Sequence, residues 1–138
     1  MKNRLNFFLF SVPILILASL VFSITTVALA AELSVERAAI CQDVVEREPV
    51  DEGTSFPVSV GKLYCFTKIV GAETPAEVIH VWYFGDVERG RITLSIGGSS
   101  WRTYSSKVIQ EHEIGSWRVE VLDASGKVLQ TINFTVTQ

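Results

Sequence analysis

Val78–Lys107 reads VIHVWYFGDVERGRITLSIGGSSWRTYSSK, and its pattern decides the fold class. Glu77–Phe84 carries Val78, His80, Trp82 and Phe84 in one phase and Ile79, Val81 and Tyr83 in the other. Both phases are apolar enough to be covered, as in a strand at the centre of a sheet. Gly85–Gly90 is polar and reads as a turn. Arg91–Ile96 then alternates, with Ile92, Leu94 and Ile96 inward. Gly97-Gly98-Ser99-Ser100 breaks the run, and Trp101–Lys107 resumes it in a mostly polar form.

Outward from this stretch the same two-residue period persists. Lys62–Val70 is rich in aromatic and β-branched residues and reads as a strong strand, with Leu63, Cys65, Thr67 and Ile69 on one face. Phe56–Val60 is a short extended piece whose Pro57 marks a sheet edge. At the C-terminal end, Gly115–Leu122 and Val128–Val136 form a hairpin around Asp123–Lys127, with Gly126 suited to a positive φ. Val128, Ile132, Phe134 and Val136 share a phase. Ala31–Val50 is ambiguous. A loose helical stripe through Val35, Ala38, Ala39 and Val45 competes with a strand over Ala38–Val45, and the strand is taken because the later pattern is all strand. Glu48-Pro49 is expected to end either element.

The chain has 138 residues, and its first thirty read as a targeting segment. Lys2 and Arg4 make a short basic start, residues 5–31 carry no charge, and Ala28-Leu29-Ala30 suits a signal-peptidase site. Cleavage after Ala30 is the reading adopted. An uncleaved membrane anchor is the alternative, since the uncharged run is long enough to span a bilayer. Either way residues 31–138 are expected to be one exported domain, periplasmic or envelope-associated. Without Lys2 and Arg4 the 12 basic residues become 10 against 15 acidic ones, a net charge of −5. That balance, with no basic cluster, argues against nucleic acid as a partner. It leaves the membrane a role only through an uncleaved leader. Cys41 and Cys65 are an even pair in an exported chain, so a disulfide worth about 3 kcal/mol is expected, with two buried thiols as the alternative.

Seven or eight short strands separated by turn signals predict an all-β, immunoglobulin-like two-sheet sandwich of antiparallel strands. Several phrases add a resemblance: Arg47-Glu48-Pro49-Val50, Gly61–Thr67, His80-Val81-Trp82-Tyr83, Trp101–Lys107 and the ending Gly115-x-Trp117-x-Val119-x-Val121-x-Asp123-x-x-Gly126. Together, over the whole exported part, they resemble a bacterial family catalogued as domain of unknown function 2914. The two middle aromatic phrases are the most specific. The resemblance implies an envelope-associated β domain and brings no activity, ligand or catalytic residue.

The candidate binding residues are His80, Tyr83, Trp101, Arg102, Tyr104, Ser106 and Lys107. Arg102, Tyr104 and Ser106 share one phase of a strand and present a guanidinium, a phenol and a hydroxyl, groups that grip carboxylates or sugar hydroxyls. The same polar strand would also guard a sheet edge. Trp82 and Trp117 read as core, and His80 needs a partner if it is buried. Glu111-His112-Glu113 reads as a solvated turn, not a metal site, because adjacent strand residues point apart and no third ligand is evident. G-x-S-x-G, H-E-x-x-H and C-x-x-C are all lacking. The expectation is therefore a non-catalytic binding or structural module without cofactor or metal, whose partner is an envelope protein or polysaccharide. A carbohydrate module stacking sugars on Trp101 and Tyr104 is the alternative, and a small hydrolase with His80 as base comes last.

Overall fold

The computed structural model describes residues 23–25, 32–73 and 75–138. The expected leader lies outside the described residues, apart from Ser23–Thr25. Among the described residues no helix is long and apolar enough to cross a membrane.

Ten strands follow in chain order: β1 Ser34–Cys41, β2 Asp43–Val45, β3 Glu48–Val50, β4 Ser55–Pro57, β5 Lys62–Val70, β6 Ala76–Phe84, β7 Val87–Ile96, β8 Ser100–Val108, β9 Gly115–Asp123 and β10 Val128–Thr137. A 3-10 turn, Val58–Val60, joins β4 to β5. Eight of the strands make two sheets, one ordered β1-β5-β8 and one ordered β4-β10-β9-β6-β7; β2 and β3 pair only with each other. The expected sandwich and strand number are therefore present in the two main sheets. One pairing departs from the antiparallel rule: β4 runs parallel to β10, and Pro57 lies at that edge. The ambiguous first segment is strand, but it breaks at Gln42 into β1 and β2. Glu48-Pro49, expected to end an element, instead starts β3, because an isolated hairpin leaves the proline nitrogen free of any ladder.

The inner faces meet in an apolar core. Ile40, Leu63 and Cys65 of the smaller sheet pack with Trp82, Trp117, Val119, Phe134 and Val136 of the larger one. Ile69 continues the core against Val78, Ile96 and Val121. Turn chemistry sets the registers. Phe84 opposes Val87 across Gly85-Asp86, a two-residue loop shorter than expected, and Gly85 has φ +58°. A positive φ at the first loop position is the II′ geometry that matches strand twist. In the last hairpin, Gly126 has φ +89° and Asp123 Oδ1 accepts from the backbone nitrogens of Ser125 and Lys127 at 2.9 and 3.0 Å. A bulge between Val128 and Gln130 shifts the phase of β10. Val128 is consequently exposed and Leu129 packs against the core.

The short β2–β3 hairpin forms a flap. It lies near β1 and β5, and its Glu48 reaches both Arg37 of β1 and Arg102 of β8, each at 3.1 Å. It therefore crosses the outer face of the smaller sheet. Phe66 points outward from β5 and is still only 1 % exposed, with the Arg37 guanidinium 5.8 Å from its ring centre. The flap also explains the cysteines. Cys41 opposes Tyr64 and Cys65 opposes Ile40. Neighbouring residues of a strand point to opposite faces, so Cys65 enters the core while Cys41 points outward beneath the flap. Both are free thiols. The expected disulfide is thus corrected: the register puts the two sulfurs on different sides of one sheet, where no bridge can form without moving backbone. Burial pushes Cys41 up to about 11 and raises Cys65 further.

The flap turns at Glu46-Arg47, with φ +51° and +62°, and Asp51 follows at +55°. A two-residue hairpin loop with both φ positive asks for Asn-Gly. A residue with a Cβ costs roughly 1–2 kcal/mol in that region. Replacing the pair with Glu46→Asn and Arg47→Gly is expected to stabilise the fold by about 1–2 kcal/mol. The check is a higher urea midpoint at unchanged slope; an unmoved midpoint would mean the loop carries no strain.

Candidate functional site

The candidate residues separate into three places. His80 and Trp82 project from β6 into the core, and both are fully buried. Tyr83, one residue on, faces outward from the five-stranded sheet. Arg102, Tyr104 and Ser106 face outward from the other sheet. His80 and Tyr83 therefore do not extend the polar-aromatic face as one surface. The phase of a strand separates His80 from Tyr83, and the sandwich separates Tyr83 from Arg102.

His80 forms a bridge between the sheets. Its Nδ1 lies 2.7 Å from Ser105 Oγ on β8 and its Nε2 lies 3.1 Å from Thr67 Oγ1 on β5. Trp82 Nε1 donates to the same Ser105 Oγ at 3.1 Å. Indole N–H can only donate, and Ser105 Oγ accepts from it. The hydroxyl keeps a second lone pair and its own proton, so it can pair with Nδ1 in either ring tautomer, and Thr67 takes the complementary role at Nε2. A neutral imidazole satisfies all four groups, and no buried side-chain polar atom among the described residues lacks a partner. The partners are hydroxyls, where a backbone carbonyl is the commoner choice. Thr67 was legible as one of them: it is the polar residue in the inward phase of β5, as His80 is in β6.

A histidine against a serine hydroxyl has the atoms of a nucleophilic pair but not its setting. His80 is fully buried and Ser105 is 4 % exposed, so the pair is closed off from solvent. The bridge holds the sheets together. Burial lowers His80 from 6.5 to about 4. Between those values the unfolded chain binds a proton that the folded chain refuses, so stability rises with pH across that window. The contribution is complete above pH 6.5 and lost once pH falls below about 4, where both states are protonated.

The outer face of β8 is the other candidate. Arg102, Tyr104 and Ser106 oppose Lys68, Phe66 and Tyr64 of β5. Tyr104 meets Tyr64 edge to face at 5.9 Å, and Lys62 lies 5.1 Å above the Tyr64 ring. Tyr104 is 49 % exposed and Val108 53 %, so much of this face is open although Phe66 is covered. Trp101 belongs to the opposite phase and lies over the turn glycines: a Cβ on Gly97 would come within 2.9 Å of its ring. Trp101 and Tyr104 therefore form no common stacking plane, which removes the geometry that sugar stacking requires. Lys107 is half-buried and donates to the Val108 carbonyl at 3.2 Å. β8 is a sheet edge, as the guarding role expects.

Tyr83 sits under Arg118, whose guanidinium is 4.1 Å from the ring centre. Burial, and then Glu120, raise its phenol. Glu113 is a correction to the solvated turn. It is buried, accepts from Gln110 N at 2.9 Å and pairs with Arg89 at 3.3 Å, while Trp117 Nε1 donates to its carbonyl at 2.9 Å. It braces the β8–β9 connection, and Glu111 and His112 stay exposed. Among the described residues no group of three His, Cys, Asp or Glu could hold a metal ion.

Urea unfolding at pH 7 and pH 4.5 should show the wild type losing roughly 2 kcal/mol more than His80→Gln, most of the linkage that its lowered pKa allows. Parallel losses in the two proteins would assign the titration to other groups.

An immunoglobulin-like protein from Pseudomonas aeruginosa, solved by crystallography, is similar to this chain at 14 % identity with a TM-score of 0.55, covering 78 % of this chain and 98 % of that one. At that identity the likeness concerns the fold, which is immunoglobulin-like. No curated protein matches the chain. Sequence beyond β5 carries the family signal: residues 75–136, which include the His80–Tyr83 and Trp101–Lys107 phrases but neither Arg47–Val50 nor Gly61–Thr67, match the family described as "Protein of unknown function (DUF2914)".

Proposed function

We propose that this chain is an exported, non-catalytic interaction module of the bacterial envelope, and that it engages a protein through the outer face of the β1-β5-β8 sheet. One observation carries the reading. That face sets an exposed phenol, a guanidinium and an exposed valine along a single edge strand, Tyr104, Arg102 and Val108. Exposed aromatic and arginine side chains supply most of the energy at protein interfaces. The alternation of apolar and polar groups over nine residues suits an extended segment of another chain. The uncharged start of the chain, residues 5–31, supports export, with either cleavage or retention as an anchor. A histidine closed inside the core supports a scaffold role for that residue instead of a catalytic one.

Arg102 is a poor single test, because its ion pair with Glu48 clasps the flap. The variant Tyr104→Ser/Val108→Ser removes the half-exposed Tyr104 ring, with its edge contact to Tyr64, and the exposed Val108 side chain. Cross-linking of the full chain in its native envelope is expected to yield a defined protein adduct with the wild type. The double variant should lose it while melting only several degrees lower, as the loss of one aromatic pair allows, and staying folded at the cross-linking temperature. Thr131→Ser, on the outer face of the other sheet, should keep it. An adduct that survives the double variant would place the interaction elsewhere.

A further inference from the structure

A cleft of about 270 Å3 opens beside the flap, lined by Arg47, Lys68, Ser100, Trp101 and Arg102. Three of those five residues are cations and none is acidic, in a domain whose acidic residues outnumber its basic ones. We propose that this cleft binds the carboxylates of an acidic, extended peptide segment of the protein partner. The inference rests on the interaction face proposed above and names the chemistry of what that face takes.

The donor supply is the first argument. Arg102 gives Nη1 to Glu48 and Lys68 gives its ammonium to Glu36 at 2.6 Å. Arg47 makes no ion pair among the described residues. A guanidinium carries five N–H donors, so Arg47 and Arg102 together keep most of theirs free at the cleft. Glu48 and Glu36 offset Arg102 and Lys68, which leaves the Arg47 charge at the opening to be met by an added anion. The planar forks of the two arginines suit a carboxylate bound through two parallel hydrogen bonds.

The backbone supplies a second, independent argument. Arg47 is held at φ +62° in a loop position that favours glycine. Strain kept where an unstrained residue would serve the turn points to a use for the side chain. The use available here is the cleft, which Arg47 reaches from the flap tip. Glu48, the next residue, already shows the recognition in miniature: its two oxygens bridge Arg37 and Arg102.

The third argument selects a peptide over a phosphate polymer. From the cleft the same strand continues past Tyr104 to Val108, and Trp101 forms one wall. An extended chain that carries acidic and apolar residues two apart, on the same side of its backbone, fills both kinds of position. A phosphate polymer offers nothing to the phenol, the valine or the indole.

The experiment titrates the full chain, held in a mild detergent because of its apolar start, with three probes and reads Trp fluorescence and calorimetry. The probes are an octapeptide repeating Glu-Ser-Leu-Ser, its Gln-Ser-Leu-Ser counterpart and inorganic polyphosphate. The wild type is expected to bind the acidic peptide, at least tenfold more tightly than Arg47→Gln does, and to bind the amide peptide and polyphosphate at least tenfold more weakly. The melting temperature of Arg47→Gln should match the wild type or exceed it, which separates lost binding from lost folding. Equal affinity in Arg47→Gln, or equal binding of the amide peptide, overturns the proposal. Polyphosphate binding the tightest overturns it in favour of a phosphate polymer. The envelope cross-link distinguishes the two levels. An adduct that depends on Tyr104 and Val108 but survives Arg47→Gln keeps the face and removes the acidic ligand. An adduct indifferent to all three removes both.

Discussion

The two sheets are joined through one polar side chain. His80 stands in an apolar interior where an unpartnered ring nitrogen would cost more than most single packing contacts return. Both nitrogens are met by hydroxyls from the facing sheet. That requirement fixes more than one residue. Thr67 and Ser105 must both face inward, which sets the phase of β5 and β8. They must also lie on either side of one ring, which sets how β6 crosses them. Trp82 shares Ser105, so the largest core side chain is oriented by the same bond set. An apolar core tolerates sliding between sheets; a ring with two directional bonds does not.

That constraint frees the outside of the smaller sheet for other work. With β5 locked from within, its outer residues can carry cations, an aromatic pair and a strained flap without endangering the register. The Arg37 guanidinium lies over Phe66, 5.8 Å from the ring centre, and exposure of that ring would otherwise leave an apolar patch in the middle of a charged face. The clasp that holds it is electrostatic and solvent-exposed, Glu48 between two arginines. Such pairs are individually weak. At its base the flap is held by backbone hydrogen bonds, Gln42 N to Val50 O at 3.1 Å and Gly53 N to Ile40 O at 3.0 Å, and its tip borders the cleft.

Alternation made most of the architecture legible. Leu63, Cys65, Thr67 and Ile69 share one face in the structure as in the sequence, and β5 spans the expected Lys62–Val70. Two features were hidden for physical reasons. A bulge moves the phase of a strand without any residue type announcing it, as at Val128–Gln130. The flap was hidden because its turn uses Glu and Arg where Asn-Gly would have signalled a hairpin. Of the candidate site, Arg102, Tyr104 and Ser106 were readable because a shared phase is a local property. The separation of His80 and Tyr83 from them was not. Phase says which residues share a face, and only the sheet order says what lies across from that face. Glu113 was misread for a similar reason, since its ion-pair partner Arg89 lies on another strand.

The register of β1 on β5 also makes the chemistry of the thiols a matter of timing. Cys41 and Cys65 sit on opposite sides of the finished sheet, so the native state cannot be cross-linked through them. An extended chain has no such sides, and its two sulfurs can meet. If oxidant reaches the chain before β1 docks, the resulting link would hold a pairing that the native ladder forbids. The correct fold is then protected only by arriving first. A wall of hydrogen bonds between two strands thereby serves as a guard against oxidation, and it does so by geometry alone.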